Sequence, residues 1–233
     1  MDNSKYKTLC LIPARSGSKR LLNKNKLNFH GKLLYEWSIS AALNSNLINT
    51  ICLSTDDSEI IKKERNNKNI KLHIRNNNLA KDDSSIEDLC DQLLMEFKEE
   101  SIFFSHVLLL QPTSPLREFN LIDNCINLCY SEGNTTGLIE LDSIKICTGK
   151  IVENIWVPDN PPDLQSQFVK KTFIPSGRIF IYKIDSNNKI LRSNYYALES
   201  NNKFQNNIDL PEDFRKAEKL FLDYRNEFEY LLN

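Results

Sequence analysis

Arg15, Lys19, Arg20 and Lys24 put four cations within ten residues with no acid among them, and Ser16, Gly17 and Ser18 lie between the first two. Small residues let the backbone curl with its N–H groups exposed, while the basic side chains supply charge-assisted donors, so the stretch suits a polyphosphate. A charge run is usually a solvated face. The position of this one argues for a ligand instead. Residues 8–12 form a continuous apolar run of the kind that fills the centre of a parallel sheet, and Pro13 ends the strand by removing a donor. Open α/β sheets bind ligands where the chain leaves the carboxyl ends of their strands.

Two further constellations follow the same logic. Arg75 stands at the carboxyl end of an alternating segment, 70–74, and Gln111-Pro112-Thr113-Ser114-Pro115-Leu116-Arg117 follows the most apolar strand, 106–110. Prolines so close to a strand end fix a rigid corner from which polar side chains project. Asp209 precedes Pro211, whose place at a first helical turn, with Glu212 and Asp213 beside it, is ordinary helix initiation. Neither G-x-x-x-x-G-K-[ST] nor G-x-G-x-x-G occurs, so neither a P-loop hydrolase nor a dinucleotide-binding dehydrogenase is supported.

The elements that must carry these residues alternate as an α/β chain. Helices are expected over 33–43, 59–66, 84–98 and 118–131, strands over 51–55, 70–74 and 106–110. Ser84 and Glu87 have capping-box spacing. The style then changes, with strands at 135–141, 150–156 and 178–184 around a proline-rich loop at 157–175, a strand-like 207–210, and one long helix from Pro211 to about 231.

The 233 residues suffice for one domain, and the net charge of −1 excludes a generally basic nucleic-acid binder. No apolar run approaches the roughly 20 residues of a membrane span. Met1 is followed by polar residues and then the first strand, leaving no room for a signal peptide, so a cytoplasmic protein is expected. Cysteines at 10, 52, 90, 125, 129 and 147 include no C-x-x-C pair and read as small core residues.

Three segments together resemble the acylneuraminate, or nonulosonic acid, cytidylyltransferases. Ile12-Pro13-Ala14-Arg15-Ser16-Gly17-Ser18-Lys19 followed by Lys24-Asn25 resembles the family's I-P-A-R-x-G-S-K and K-N; Leu109 to Arg117 matches its L-L-Q-P-T-S-P-L-R. Leu79 to Ser85 is similar to L-A-x-D-x-x-S, and Asn207 to Asp213 to D-I-D-x-P-E-D. The resemblance implies a three-layer, Rossmann-like nucleotidyltransferase fold with a mainly parallel central sheet. Residues 141–175 would form an inserted arm that pairs two subunits into a homodimer and serves as a lid. It further implies transfer of CMP from CTP to the anomeric hydroxyl of a nine-carbon acidic sugar, with Mg²⁺ as cofactor. A cytidylyltransferase for Kdo, in which Lys-Pro is typical in place of Lys24-Asn25, and a catalytically weak nucleotide-binding homologue are the alternatives.

By the same resemblance Arg15, Lys19 and Lys24 clamp the triphosphate. Ala14, Ser18, Asn25, Arg75, Ser84 and Ser85 contact the nucleotide, Gln111 and Lys145 face the acidic sugar, and Phe180, Tyr195 and Tyr196 surround its acyl group. Asp209 and Asn207 stand at the metal positions. Asn207 replaces the family's first metal aspartate, which points to weaker binding or recruitment of another acid such as Asp56. Ile174 replaces an arginine frequent before the Pro-x-Gly turn, leaving the sugar carboxylate to Lys145 or Arg178. A basic residue after Lys19 is common in relatives acting on pseudaminic or legionaminic acid.

Overall fold

The first apolar run forms β1 (Thr8–Pro13), in which Leu9, Cys10, Leu11 and Ile12 are all withdrawn from water. A strand apolar at every position needs cover on both faces, and it has it. Leu9 and Leu11 meet α3 (Ile86–Glu99) on one side, while Cys10 and Ile12 meet α1 (Leu34–Leu43) and α4 (Leu121–Ser131) on the other. The computed structural model describes residues 6–75, 85–146, 148–159, 169 and 171–232.

The remaining elements, in order, are the ribbon β2 (Asn28–Phe29) and β3 (Lys32–Leu33), then β4 (Thr50–Thr55), α2 (Ser58–Glu64), β5 (Lys71–Ile74) and β6 (His106–Leu109). After α4 come β7 (Gly137–Ile144), the hairpin β8 (Gly149–Val152) and β9 (Ile155–Pro158), β10 (Thr172–Lys183), β11 (Tyr196–Glu199), α5 (Pro211–Asp223) and α6 (Arg225–Phe228). The central sheet has the order β11-β7-β10-β6-β1-β4-β5 and is parallel apart from β10, which runs against both of its neighbours. The mainly parallel α/β sheet expected from the sequence is therefore present. No helix among the described residues is long and apolar enough to cross a membrane.

Local chemistry explains several boundaries and corrects others. Asp57 caps α2 by accepting from the backbone N–H of Glu59 at 2.9 Å. The cap of α3 is Ser85, accepting from Asp88 N at 3.0 Å, and not the expected pairing of Ser84 with Glu87; Ser84 lies outside the described residues. The single strand expected over 150–156 is a hairpin, because Glu153 and Asn154 adopt left-handed φ values of 50° and 65° and turn the chain back. The last helix breaks at Tyr224 (φ −130°, ψ 33°), and 207–210 is an irregular segment instead of a strand. Part of the 157–175 loop and Cys147 lie outside the described residues; the other five cysteines are buried and free.

Candidate active site

The sheet reverses its order of construction beside β1. The chain goes from β1 to β4 and β5 on one side, then returns to place β6 on the other. A crevice opens at such a switch point because the connections depart in opposite directions. Here it is a cleft of about 640 Å³ lined by the loop after β1, the corner after β6, Arg75 after β5, and the segment before α5.

The basic loop is held in shape from outside itself. Gly17 has φ +72° and Asn23 φ 52°, conformations that suit glycine and asparagine. Ser16 N donates to Asp56 Oδ1 at 2.7 Å, and the Ser16 hydroxyl also donates to the Asp56 carboxylate. Buried Asn25 donates through Nδ2 to Arg15 O at 2.9 Å, and Ala14 N donates to Ser54 O at 2.9 Å while its carbonyl accepts from Thr55 Oγ1. Both Asp56 oxygens thus accept from Ser16, and Asp56 is not among the residues that line the cleft.

The opposite wall is stitched across the chain. Ile208 N donates to Thr113 O at 2.7 Å, and Asn206, absent from the sequence-based site, exchanges hydrogen bonds with both the N–H (3.1 Å) and the C=O (2.9 Å) of Leu116. Asp213 accepts from the backbone N–H groups of Asp209 and Leu210 at 3.1 and 2.9 Å, fixing Asp209 before α5. The Gln111 carbonyl accepts from Arg117 Nη2 at 3.0 Å, and Arg117 Nε donates to Arg178 O at 3.0 Å. Arg117 is fully buried, which pushes its pKa down to about 10 and leaves it charged at neutral pH.

Gly177 backs the corner after β6. The pairing of β10 with β7 shifts register between Pro175 and Phe180, and Gly177 lies in that irregularity with φ +77°. A Cβ there would stand 2.8 Å from Ser114 Oγ, 3.4 Å from Gln111 Oε1 and 3.6 Å from Asn207 Oδ1. The missing side chain is what lets the sheet approach these polar groups.

Arg15, Lys19, Arg20, Lys24 and Arg75 face the single acid Asp209 among the described lining residues. Lys24 Nζ lies 2.8 Å from Asp209 Oδ1 and Arg20 Nη1 3.4 Å from Oδ2. Burial pushes Arg75 down to about 10, with Asp56 opposing and Arg15 reinforcing the shift. The cleft attracts anions and carries one carboxylate to offset them.

Residues 9–233 match the sequence profile of the family described as cytidylyltransferase. The chain belongs to the cytidylyltransferase family. Its relatives include the pseudaminic acid cytidylyltransferase of Campylobacter jejuni, 37% identical over 116 residues covering 50% of each chain, and the CMP-N,N'-diacetyllegionaminic acid synthase of Legionella pneumophila, 36% identical over 137 residues covering 59% of each. The N-acylneuraminate cytidylyltransferase of Streptococcus agalactiae is 27% identical over 230 residues, 94% of this chain and 54% of that one. The chain spans about half the length of the curated relatives it matches. In fold it is similar to CMP:2-keto-3-deoxy-manno-octonic acid synthetase complexed with CTP (TM-score 0.63, 14% identity, 93% of this chain and 99% of that one). It is also similar to 4-diphosphocytidyl-2C-methyl-D-erythritol synthase (0.66, 9%, 93% and 99%).

In this cytidylyltransferase-family chain the cleft brings together Arg15, Ser18, Lys19, Lys24, Asn25, Arg75, Gln111, Asn207 and Asp209 from the sequence-based set. Others fall elsewhere. Ala14 contributes backbone only, and the Ser85 hydroxyl is spent on its helix cap. Lys145 is exposed after β7 and outside the lining. Phe180 and Tyr195 pack against the α3-side core, Tyr195 against Tyr182 at 5.9 Å between ring centroids, and Tyr196 packs against the other core. These three rings do not line the cleft, because their faces are used by neighbouring side chains. Arg178 is no carboxylate receptor either: it is 1% exposed, donates through Nη1 to Glu118 at 2.6 Å and through Nε to Glu140 at 3.0 Å, and pairs with Glu140 again through Nη2. Arg20 and Ile86 line the cleft without having been assigned a role; Arg20 was legible as part of the charge run.

Proposed function

We propose that the chain transfers CMP from CTP to the anomeric hydroxyl of a nine-carbon acidic sugar of the pseudaminic, legionaminic or sialic type, releasing pyrophosphate. The observation that carries this reading is the anion-attracting cleft at the switch point, with Asp209 held between Lys24 and Arg20 on its wall. The printed activities of the relatives support the substrate class.

The reaction forms a bond between the anomeric oxygen and the α-phosphorus and breaks the α–β anhydride, so no protein nucleophile is needed. What the protein supplies is alignment and neutralisation of phosphate charge. Arg15, Lys19 and Lys24 meet the triphosphate, Asn25 holds the loop that presents them, and Arg75 reaches the nucleoside part. Gln111, beside Gly177, faces the acceptor.

Magnesium fits the donor chemistry here. Asp209 and Asn207 offer hard oxygens at one wall, and Mg²⁺ is commonly held by one or two carboxylates together with substrate phosphates. Bound there, it would neutralise phosphate oxygens as charge develops on the leaving group. Lys24 exchanges Asp209 for phosphate when the nucleotide enters, freeing that carboxylate.

A homodimer joined through the 141–175 arm completes the reading. Ile151 is 76% exposed and Ile155 66%, with Trp156 beside them on the hairpin, an apolar surface that a second subunit would cover.

The test is pyrophosphate release from CTP and MgCl₂ with N-acetylneuraminic, legionaminic, pseudaminic and Kdo acceptors, repeated with UTP and ATP. Release with CTP and a nine-carbon acid is expected. Release with Kdo alone, or with none of the four, overturns the assignment.

A further inference from the structure

Arg75 Nη2 is buried and has no hydrogen-bond partner among the described residues. The guanidinium is held through its other side, where Nε donates to Ser54 Oγ at 2.9 Å. The same hydroxyl lies 2.8 Å from His73 Nδ1. Ser54 is completely buried, so no water shares these bonds. A hydroxyl has one proton and two lone pairs, so after accepting from Arg75 its oxygen can still donate to a bare Nδ1 or accept from a protonated one, and Glu96 decides between them. The hydrogen then sits on Nε2, which stands 3.4 Å from Glu96 Oε2 on α3. A carboxylate at that place fixes the tautomer.

Sequence and register build this line of contacts. His73 and Ser54 are partners across β5 and β4, and strand alternation puts His73 and Arg75 on one face, two residues apart. Burial pushes His73 below the ordinary imidazole range, Glu96 pulling the other way and Arg75 adding to the depression, so the neutral ring is the resident form.

We infer that His73 is a positioning residue for Arg75. With Glu96 setting its tautomer, it turns the Ser54 hydroxyl so that a lone pair faces Arg75 Nε, and the guanidinium is held at the cleft wall with Nη2 unpaired until a nucleotide enters. His73 makes no contact with the cleft itself; it borders a separate cleft of about 290 Å³ between β5 and α3. The inference rests on the nucleotide reading of the main cleft only for the identity of the ligand.

The experiment measures calorimetric binding of CTP with MgCl₂, and the ¹⁵N–¹H signal of Arg75 Nε in the nucleotide-free protein. Both are recorded for the wild type, His73→Phe, His73→Asn, Ser54→Ala and the His73→Phe/Ser54→Ala double variant. Loss of one such buried hydrogen bond predicts CTP binding weaker by about five- to tenfold in His73→Phe and in Ser54→Ala, with the double variant no weaker than either. His73→Asn, which offers Oδ1 where Nδ1 stood, restores both binding and the Arg75 signal. An Arg75 signal unmoved by His73→Phe, or losses that multiply in the double variant, overturns the inference. If the wild type does not bind CTP, the nucleotide reading fails, and the Arg75 signal alone decides the positioning role.

Discussion

Arg178 spends its guanidinium on Glu140 and Glu118, whereas Arg75, nearly as withdrawn from water, leaves Nη2 without a partner among the described residues. Arg117 resembles Arg178, with Nε, Nη1 and Nη2 all donating to protein oxygens. Lys24 and Arg20 resemble Arg75 in having unspent capacity, since one carboxylate serves both. A buried cation whose donors are all paired is scaffold; one left with donors over is waiting for a ligand, because the desolvation cost of the unpaired group is recovered only on binding.

Glu140→Ala breaks the first group and has the largest expected effect. It leaves Arg178 buried with half its partners, so unfolding stability falls by about 3–5 kcal/mol, read from the urea midpoint. Lys24→Met breaks the second. Turnover with CTP and Mg²⁺ drops about 10²–10³-fold, the scale of losing one electrostatic donor to a transition state, while the unfolding midpoint moves by no more than about 0.5 kcal/mol. Equal loss of stability in the two variants would dissolve the distinction between scaffold and ligand-binding cations.

Gly177→Ala sharpens the comparison at the boundary between the two groups. A Cβ at φ +77° and 2.8 Å from Ser114 Oγ costs about 1–2 kcal/mol and pushes the Ser114 side chain within the corner that carries Gln111, so KM for the acceptor rises more than KM for CTP. The effect that is gentlest at neutral pH is on the scaffold side, at His106, which packs near Tyr6 and Tyr130 and shares a register pair with Lys183. Burial first and Lys183 second push it down from 6.5 to about 4. A base depressed in the folded state stabilises fully above its unfolded value, so stability declines as pH falls from 6.5 towards 4, by at most about 1.4 kcal/mol per pH unit. His106→Gln flattens that acid limb in midpoints measured across the same range.

The strands β1, β4 and β6 were legible because each is a short apolar run ended by proline or polar residues, and the cationic loop because its charges cluster with no acid among them. What was not legible depends on contacts between distant residues. Lys24 meets Asp209 across 185 positions, and Arg178 meets Glu140 across 38, pairings fixed by sheet order and register and invisible to spacing. Arg178 therefore looked available for a sugar carboxylate until the antiparallel β10 put it behind the wall. The hairpin β8–β9 was missed because its turn, Glu153-Asn154, lacks the glycine that usually marks one. Ser84 and Ser85 differ by one position, finer than capping spacing resolves.

Strand β10 runs from Thr172, at its exposed outer end, to Lys183 beside β6, with Gly177 in the register shift between them. Mechanically it is a beam with its outer end in solvent and its middle under Gln111. A load applied at the outer end is carried along one covalent chain to the backbone that packs against Ser114 and Gln111.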